Sequence, residues 1–212
     1  KSAIFDKMED DNFIVEEPIS EYGNLDVNKS YTYLDYLKWQ FEERVELIKG
    51  RIFKMSPAPN RRHQTLLANV NRQFDFFFLQ HPCNYYFAPF DVRLPIPNKK
   101  KPNTVVQPDF CVICEESKLD DAGCIGAPDL IVEILSPSNQ KHDLATKFSL
   151  YEEVGVKEYW VVFPNERMVV VYALVNGKYV GSKPFIDELE PIGSSLFPDL
   201  KIELKEVFRG VD

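Results

Sequence analysis

An acidic residue interrupts each of two apolar, strand-like runs of this sequence. Glu133 lies within residues 130–135, and Asp109 lies within residues 105–113. A charge in the core of a sheet is costly unless a cation or hydrogen-bond donors meet it, so a buried carboxylate favours a functional role. Carboxylate oxygens are also the ligands that Mg²⁺ binds in proteins. The two acids therefore predict a metal site.

A lysine in the following helix is the candidate cation for these acids. Residues two apart on a strand share a face, so Leu135 lies beside Glu133, where a nuclease E-x-K motif would carry lysine. Lys147 comes three residues after Leu144 and four before Tyr151, on the inward stripe of the predicted helix. Its ammonium could reach the acids. The alternative is a lysine at the helix edge whose ammonium extends to water.

Three further polar residues are candidates for the same site. His63 falls on the buried side of the second predicted helix. It contacts phosphate, acts as an acid, or is a buried histidine with its hydrogen bonds satisfied. Glu46, in the first predicted hairpin, is either a ligand of a second ion or a strand-edge glutamate. Gln107 shares a strand face with Asp109, and Asp91 is a further carboxylate without an assigned role.

The four cysteines predict no disulfide framework. Cys83, Cys111, Cys114 and Cys124 are few and scattered for a chain of 212 residues, so buried free thiols in a reducing, cytoplasmic location are expected. The spacing of Cys111 and Cys114 resembles half of a zinc site. An offset of three along a strand nevertheless sends the two thiols to opposite faces, and no second CxxC pair exists.

The composition is that of a globular protein. Hydrophobic residues make up 44% and charged residues 27%, and no apolar stretch approaches the roughly 18–20 residues of a membrane helix. No charged-then-apolar leader follows Lys1, so no signal peptide is predicted. The net charge of −8 disfavours an unselective nucleic-acid coat protein but permits an enzyme whose acidic pocket binds metal. The sequence has no Gly-rich phosphate loop and no GxSxG elbow, so no motif supports nucleotide-driven or serine-hydrolase chemistry.

Alternating periodicities predict an α/β or α+β fold with a central mixed sheet flanked by helices. Helices are predicted at about 32–44, 61–79 and 142–153. Strands are predicted at 45–48, 51–55, 85–94, 105–113, 130–135, 158–163, 168–175 and 178–180. Turns at Lys49-Gly50 and Asn176-Gly177 predict hairpins. Residues 1–30 are expected to be an extended N-terminal arm, and residues 31–212 a single domain.

A series of motifs resembles a known family. E-x-I-x-G begins at Glu46, S-P-x-P-x-x-x-H ends at His63, and P-D-L-x-V-E-I-L-S-P-S ends at Ser138; a downstream lysine and E-Y-W-V-V follow. Over about residues 30–208 the chain resembles the Uma-two family of restriction-endonuclease-like proteins, part of the PD-(D/E)xK nuclease superfamily.

The resemblance implies a restriction-endonuclease-like core, Mg²⁺ or Mn²⁺ as cofactor, and hydrolysis of DNA. Asp109 matches the metal-binding aspartate, Glu133 the acid of the (D/E)xK strand, and Glu46 the acid ahead of the first hairpin turn. All three would be metal ligands. Lys147 matches a catalytic lysine moved onto the next helix, and His63 the histidine of the second helix. Leu135 departs from the superfamily pattern.

The leading hypothesis is a Mg²⁺-dependent endonuclease that acts on DNA and has no membrane partner. A homodimer is expected, because a two-fold dimer presents two sites to an antiparallel duplex. Repulsion among the gathered acids predicts that metal stabilises the fold. Two alternatives remain: a non-catalytic nucleic-acid or protein-binding module on a nuclease fold, and a metal-dependent phosphatase or nucleotidase.

Overall fold

The computed structural model of the protein describes residues 25–26, 28–41, 44–55, 59–95, 102–136, 140–186 and 188–211. Most of the predicted N-terminal arm, residues 1–24, lies outside this part of the chain. No helix within the described ranges combines the length and the apolar character needed to cross a bilayer.

The secondary structure alternates short strands with two long helices. The helices are α1 Tyr33–Tyr36, α2 Arg61–Phe78, α3 Gln140–Val154 and α4 Leu204–Val207. The strands are β1 Val45–Ile48, β2 Arg51–Lys54, β3 Asn84–Phe87, β4 Val92–Arg93, β5 Val105–Val106, β6 Phe110–Ile113, β7 Leu119–Asp120, β8 Gly123–Ile125, β9 Leu130–Ile134, β10 Glu158–Phe163, β11 Met168–Val175, β12 Lys178–Gly181, β13 Ile192–Gly193 and β14 Lys201–Ile202.

The longer strands belong to two mixed sheets, which confirms the α+β class. The first sheet has the order β2-β1-β5-β4-β8-β7, and the second has the order β12-β11-β10-β9-β6-β3. Strands β4 and β8 are parallel in the first sheet, and β9 and β10 are parallel in the second. The sequence predicted a single central sheet, so the division into two is a correction.

Two segments that were each predicted as one strand are broken into two strands, and the two parts of each segment belong to different sheets. The run 85–94 splits into β3 and β4, and the run 105–113 splits into β5 and β6, with the two halves of each run in different sheets. Pro89 lies in the first break and Pro108 in the second. Proline has no N–H to donate to a ladder, so a strand tends to end where it stands.

The first helix is shorter than predicted. It ends at Tyr36 and does not continue to Arg44. Its start is as expected, because the Asp35 carboxylate accepts hydrogen bonds from the Thr32 backbone N–H at 2.9 Å and the Thr32 hydroxyl at 2.8 Å. Leu34 and Leu37 are 56% and 58% exposed, so no buried stripe stabilises further turns.

The hairpins and the two long helices are confirmed. The residues Lys49-Gly50 and Asn176-Gly177 all have positive φ, as a type I′ turn requires, and they join β1 to β2 and β11 to β12. Helix α2 begins after Asn60, whose side chain accepts from the His63 N–H at 2.9 Å. Gly155 has φ +85° and follows the end of α3.

Helices α2 and α3 cover opposite faces of the second sheet. The even-numbered residues of β9 pack in one cluster with Phe74 of α2, whereas Ile131 and Leu135 pack in another with Tyr151 of α3. Because alternate residues point to alternate faces, Glu133 points toward α3, on the same side as Leu135. The predicted sharing of a strand face is therefore confirmed.

The prediction of free cysteines is half wrong. Cys83 and Cys114 form a disulfide, while Cys111 and Cys124 are buried free thiols. Strands β3 and β6 are antiparallel, and their register places Cys83 opposite Cys114. Only the strand pairing brings the two together, so their spacing in sequence carries no signal. Burial raises the pKa of Cys124 to about 11 and that of Cys111 still further, so both remain thiols at neutral pH.

Glu158 of β10 is a further buried carboxylate, and no sequence pattern singled it out. Its side chain accepts hydrogen bonds from the Trp160 indole at 2.9 Å, the Ser194 hydroxyl at 2.6 Å and the Ser195 hydroxyl and backbone N–H at 2.7 and 2.8 Å. Neutral donors thus meet the charge from several sides, and Glu158 anchors the 194–196 segment to the second sheet.

We expect Glu158→Gln to lower the free energy of unfolding by about 2–3 kcal/mol, because the new amide N–H groups face donors and leave buried groups unsatisfied. Urea unfolding followed by circular dichroism measures the change. Glu166→Gln, at an exposed position after the same strand, is the control and should stay within about 0.5 kcal/mol. Equal stability of the two variants would contradict the anchoring role.

Candidate functional site

A buried carboxylate and a buried ammonium form the centre of the site. Glu133 in β9 is 7% exposed, and Lys147 in α3 is 6% exposed. The Lys147 Nζ lies 3.0 Å from Oε1 of Glu133, and the Tyr151 hydroxyl donates to the same oxygen at 2.8 Å. Lys147 therefore points inward from α3, and it is not an edge lysine whose ammonium extends to water.

Glu46 brings a second carboxylate from the first sheet. It is buried in β1, and its Oε1 lies 3.3 Å from the Lys147 ammonium. The same oxygen accepts the backbone N–H of Gln107 at 3.0 Å. One ammonium thus joins an acid of each sheet, and Coulomb attraction in a buried setting holds both in place.

Asp109 stands beside Glu133 because of the register of β6 and β9. Phe110 pairs with Val132 in an antiparallel ladder, and one more step in the same register brings Asp109 level with Glu133. The ladder ends there, and Oδ2 of Asp109 accepts the backbone N–H of Ile134 at 2.8 Å. The side chain of Asp109 thus takes over a hydrogen bond at the point where the strand pair opens.

His63, in the first turn of α2, pairs with Asp109. Its Nε2 lies 3.2 Å from Oδ2 of Asp109, whereas its buried Nδ1 meets no hydrogen-bond partner among the described residues. We therefore place the proton of the neutral ring on Nε2. Burial lowers the pKa of His63, but the hydrogen bond and charge of Asp109 and the charge of Glu133 outweigh it, so the pKa is raised.

The Tyr151 hydroxyl is a neutral donor to Glu133. Complete burial and the charges of Glu133 and Glu46 raise the pKa of Tyr151 well above its ordinary value. The phenol therefore keeps its proton at physiological pH and fixes Oε1 of Glu133 in direction. Sequence analysis placed Tyr151 on the inward stripe of α3 but gave it no part in the site.

A hydrogen-bonded chain continues from Gln107 away from the acids. The Nε2 of Gln107 donates to Oδ1 of Asp91 at 2.8 Å, and the Arg44 guanidinium donates to Oε1 of Gln107. The Tyr36 hydroxyl also contacts Asp91, at 3.4 Å. Gln107 thus joins Glu46, through its backbone, to a second polar group around Asp91.

The structure brings the five predicted residues into two connected groups. Glu46, Glu133 and Lys147 form one group, and Asp109 and His63 form the other. The two groups meet at β9, where Asp109 binds the residue that follows Glu133. Their roles in catalysis stay predictions.

The donor set fits a hard divalent ion. No group of three or more His, Cys, Asp or Glu side chains in the described ranges forms a ready cage for a metal. Mg²⁺ needs fewer protein ligands than such a cage provides, since one or two carboxylates with water and substrate phosphate complete its coordination shell. The hydrogen bonds of Asp109 with described residues use only Oδ2, and those of Glu46 use only Oε1, which leaves one oxygen of each as a possible ligand.

Fold and sequence place the protein among the restriction-endonuclease-like proteins. A solved structure from Anabaena variabilis, described as a "putative nuclease belonging to DUF820", superposes with a TM-score of 0.67 over 84% of this chain and 97% of that chain, at 19% identity. Residues 33–205 match the profile of the Uma2 family, described as "Putative restriction endonuclease". The chain belongs to this Uma-two family, as the resemblance predicted.

A protein of Synechocystis sp. (strain ATCC 27184 / PCC 6803 / Kazusa), described as uncharacterized, is 27% identical over 119 residues. The match covers 55% of this chain and 60% of that protein. This relative adds no information on activity.

Proposed function

We propose that the protein is a Mg²⁺- or Mn²⁺-dependent endonuclease that hydrolyses phosphodiester bonds of DNA. The observation that carries the proposal is the pair of buried carboxylates, Glu46 and Glu133, both within 3.3 Å of the Lys147 ammonium, with Asp109 hydrogen-bonded to the residue after Glu133. Burying two acids from separate sheets around one lysine is costly for a purely structural purpose. Buried charges gathered in this way are typical of functional sites.

Asp109, Glu133 and Glu46 would hold the metal. When bound, such an ion supplies an activated water and neutralises charge on the phosphate. The protein positions these ligands in advance: Tyr151 fixes Glu133, and the Gln107 backbone fixes Glu46. His63 and the Ile134 N–H together hold one oxygen of Asp109.

Lys147 is the proposed catalytic cation. It comes from the helix that follows β9, whereas position 135 of that strand holds an apolar side chain packed against α3. Its ammonium can donate to a phosphate oxygen or to the attacking water while remaining close to both acids, and so offset the charge that develops in the transition state. The DNA substrate, the homodimer, the single domain over 31–212 and the cytoplasmic location belong to the same proposal.

Conversion of supercoiled plasmid to nicked or linear forms tests this function. We expect conversion by the purified protein with Mg²⁺ or Mn²⁺ and none with EDTA. A phosphate monoester such as p-nitrophenyl phosphate is the parallel substrate and should not react. Monoester hydrolysis without plasmid conversion would point to a phosphatase, and plasmid binding in a gel shift without conversion would point to a non-catalytic module.

A further inference from the structure

A cavity of about 420 Å³ lies against the candidate site. Gln107 forms part of its wall, and the backbone N–H of this residue donates to Glu46 at 3.0 Å. Gln107 also lies two residues before Asp109, so their Cα atoms are at most about 7 Å apart. Because B-DNA rises about 3.4 Å per step, this distance corresponds to about two nucleotides. The wall of the cavity at Gln107 is therefore within reach of the first or second nucleotide from the phosphate held at the acids.

Two stacked aromatic rings form one wall of the cavity. The rings of Tyr86 and Phe90 are 4.2 Å apart at their centroids and only 1° from parallel. Both side chains are half-buried, packed against the core on one side. Each ring covers one face of the other, so a nucleobase can stack only on the outer face of the pair, and every base has a π-face with which to do so.

The charged side chains that line the cavity are all carboxylates, and the amide of Gln107 already donates to one of them, Asp91, at 2.8 Å. Asp91, Asp120 and Asp121 contribute carboxylates, and the two oxygens of Asp120 are already paired with Arg93. Carboxylates repel phosphate but accept hydrogen bonds from amino groups, as a glutamate or aspartate does from the N4 amino group of cytosine. The occupant that fits is consequently a neutral aromatic ring that carries N–H donors.

We propose that this cavity holds an unstacked nucleobase with an exocyclic amino group, from a nucleotide next to the phosphate that is cleaved. The proposal rests on the proposed nuclease function and adds a base-binding subsite to it. The aromatic wall of Tyr86 and Phe90 stacks the base, and Asp91 accepts from its amino group. A base leaves its stack most easily where it is already unpaired, so single strands are the simplest probe.

Binding without metal tests the subsite apart from cleavage. In EDTA, fluorescence anisotropy compares labelled single strands of equal length made only of dA, dC or dT. We expect the dA and dC strands to bind about tenfold more tightly than the dT strand, which has no exocyclic amino group. Equal affinities for all three, or no measurable binding to any of them, would overturn the proposal.

Variants place the effect in the cavity. Phe90→Ala should weaken dA and dC binding about tenfold through lost stacking. Phe87→Ala, at an exposed aromatic that is not part of the cavity wall, should change it less than twofold. Asp91→Asn is nearly the same size, should leave the fold intact, and should reduce the preference for dC over dT. Equal losses of dA and dC affinity in the two Phe variants, together with an unchanged preference for dC over dT in Asp91→Asn, would show that the cavity does not bind the base.

The nuclease function and the base-binding subsite can each be contradicted without the other. A base preference in EDTA that depends on Phe90, in a protein that never converts plasmid, would contradict the nuclease function and leave the subsite in place. Plasmid conversion by a protein that binds all three strands equally would contradict only the subsite.

Discussion

Lys147→Met should reduce plasmid cleavage on the order of a hundredfold, as expected when one donor to the transition state is lost. In the metal-free protein it should also lower the free energy of unfolding by about 3–5 kcal/mol, because Glu46 and Glu133 lose the buried ammonium between them. Methionine keeps the apolar stem, so the packing of α3 changes little. Nicking rates and urea unfolding in EDTA measure the two effects.

The same variant should respond more strongly to metal than the parent protein. Lysine is not a ligand for hard cations, so binding survives, and a divalent ion replaces the lost positive charge. At one fixed Mn²⁺ concentration the variant should therefore bind the ion more tightly and gain more stability than the parent protein. A concentration a hundred times the Kd adds about 2.7 kcal/mol in either protein. Thermal melts with and without Mn²⁺ measure this difference.

Lys157→Met is the matched control. Lys157 also pairs with an acid, Asp129, at 2.6 Å, but its side chain is 60% exposed. Asp129 is buried but keeps the Cys114 N–H at 2.7 Å, so the loss of stability should stay well below that of Lys147→Met, and cleavage should be unchanged. Full activity in Lys147→Met would show that this lysine is only a structural counter-charge.

Glu133→Gln should lower cleavage to the level of the EDTA control and should largely remove the rise in melting temperature caused by Mn²⁺. Glutamine preserves the size of the side chain but not the anionic oxygens that a hard cation needs. Lys147 still pairs with Glu46, so the metal-free protein should lose less stability than Lys147→Met does. Nicking assays and melts on the same preparation measure both properties.

Glu158→Gln is the control for removing a buried strand carboxylate as such. Glu158 is as deeply buried as Glu133, but its partners are the Trp160 indole and the serines at 194 and 195. This variant should lose stability and retain metal-dependent cleavage below its melting temperature. Persistent cleavage by Glu133→Gln, with an unchanged response to Mn²⁺, would exclude Glu133 as a ligand.

The parts of the site that the sequence predicted depend on local periodicity. Period two in β9 places Glu133 and Leu135 on one face, and helical spacing in α3 turns Lys147 inward with Tyr151. The turns at Lys49-Gly50 and Asn176-Gly177 were predictable for the same local reason. The family resemblance then singled out Glu46, Asp109 and Glu133 as candidates among the many acids of the chain.

What the sequence could not predict depends on contacts between distant segments. The Cys83–Cys114 disulfide requires the register of β3 and β6, and the bond from the Gln107 N–H to Glu46 requires β5 to lie beside β1. The prediction that metal stabilises the fold considered only the repulsion among the acids. The ammonium of Lys147, 3.0 and 3.3 Å from two of them, offsets that repulsion.

The segment from Val105 to Ile113 belongs to both sheets, and Pro108 and Asp109 lie where it crosses between them. Its length is therefore fixed by both ladders at once. One residue added or removed at the crossing would turn Asp109 to the opposite face of β6 or pull Gln107 away from Glu46. In evolution this stretch should tolerate substitution far better than a change of length, whereas the exposed turn at 115–118 is free to vary in both.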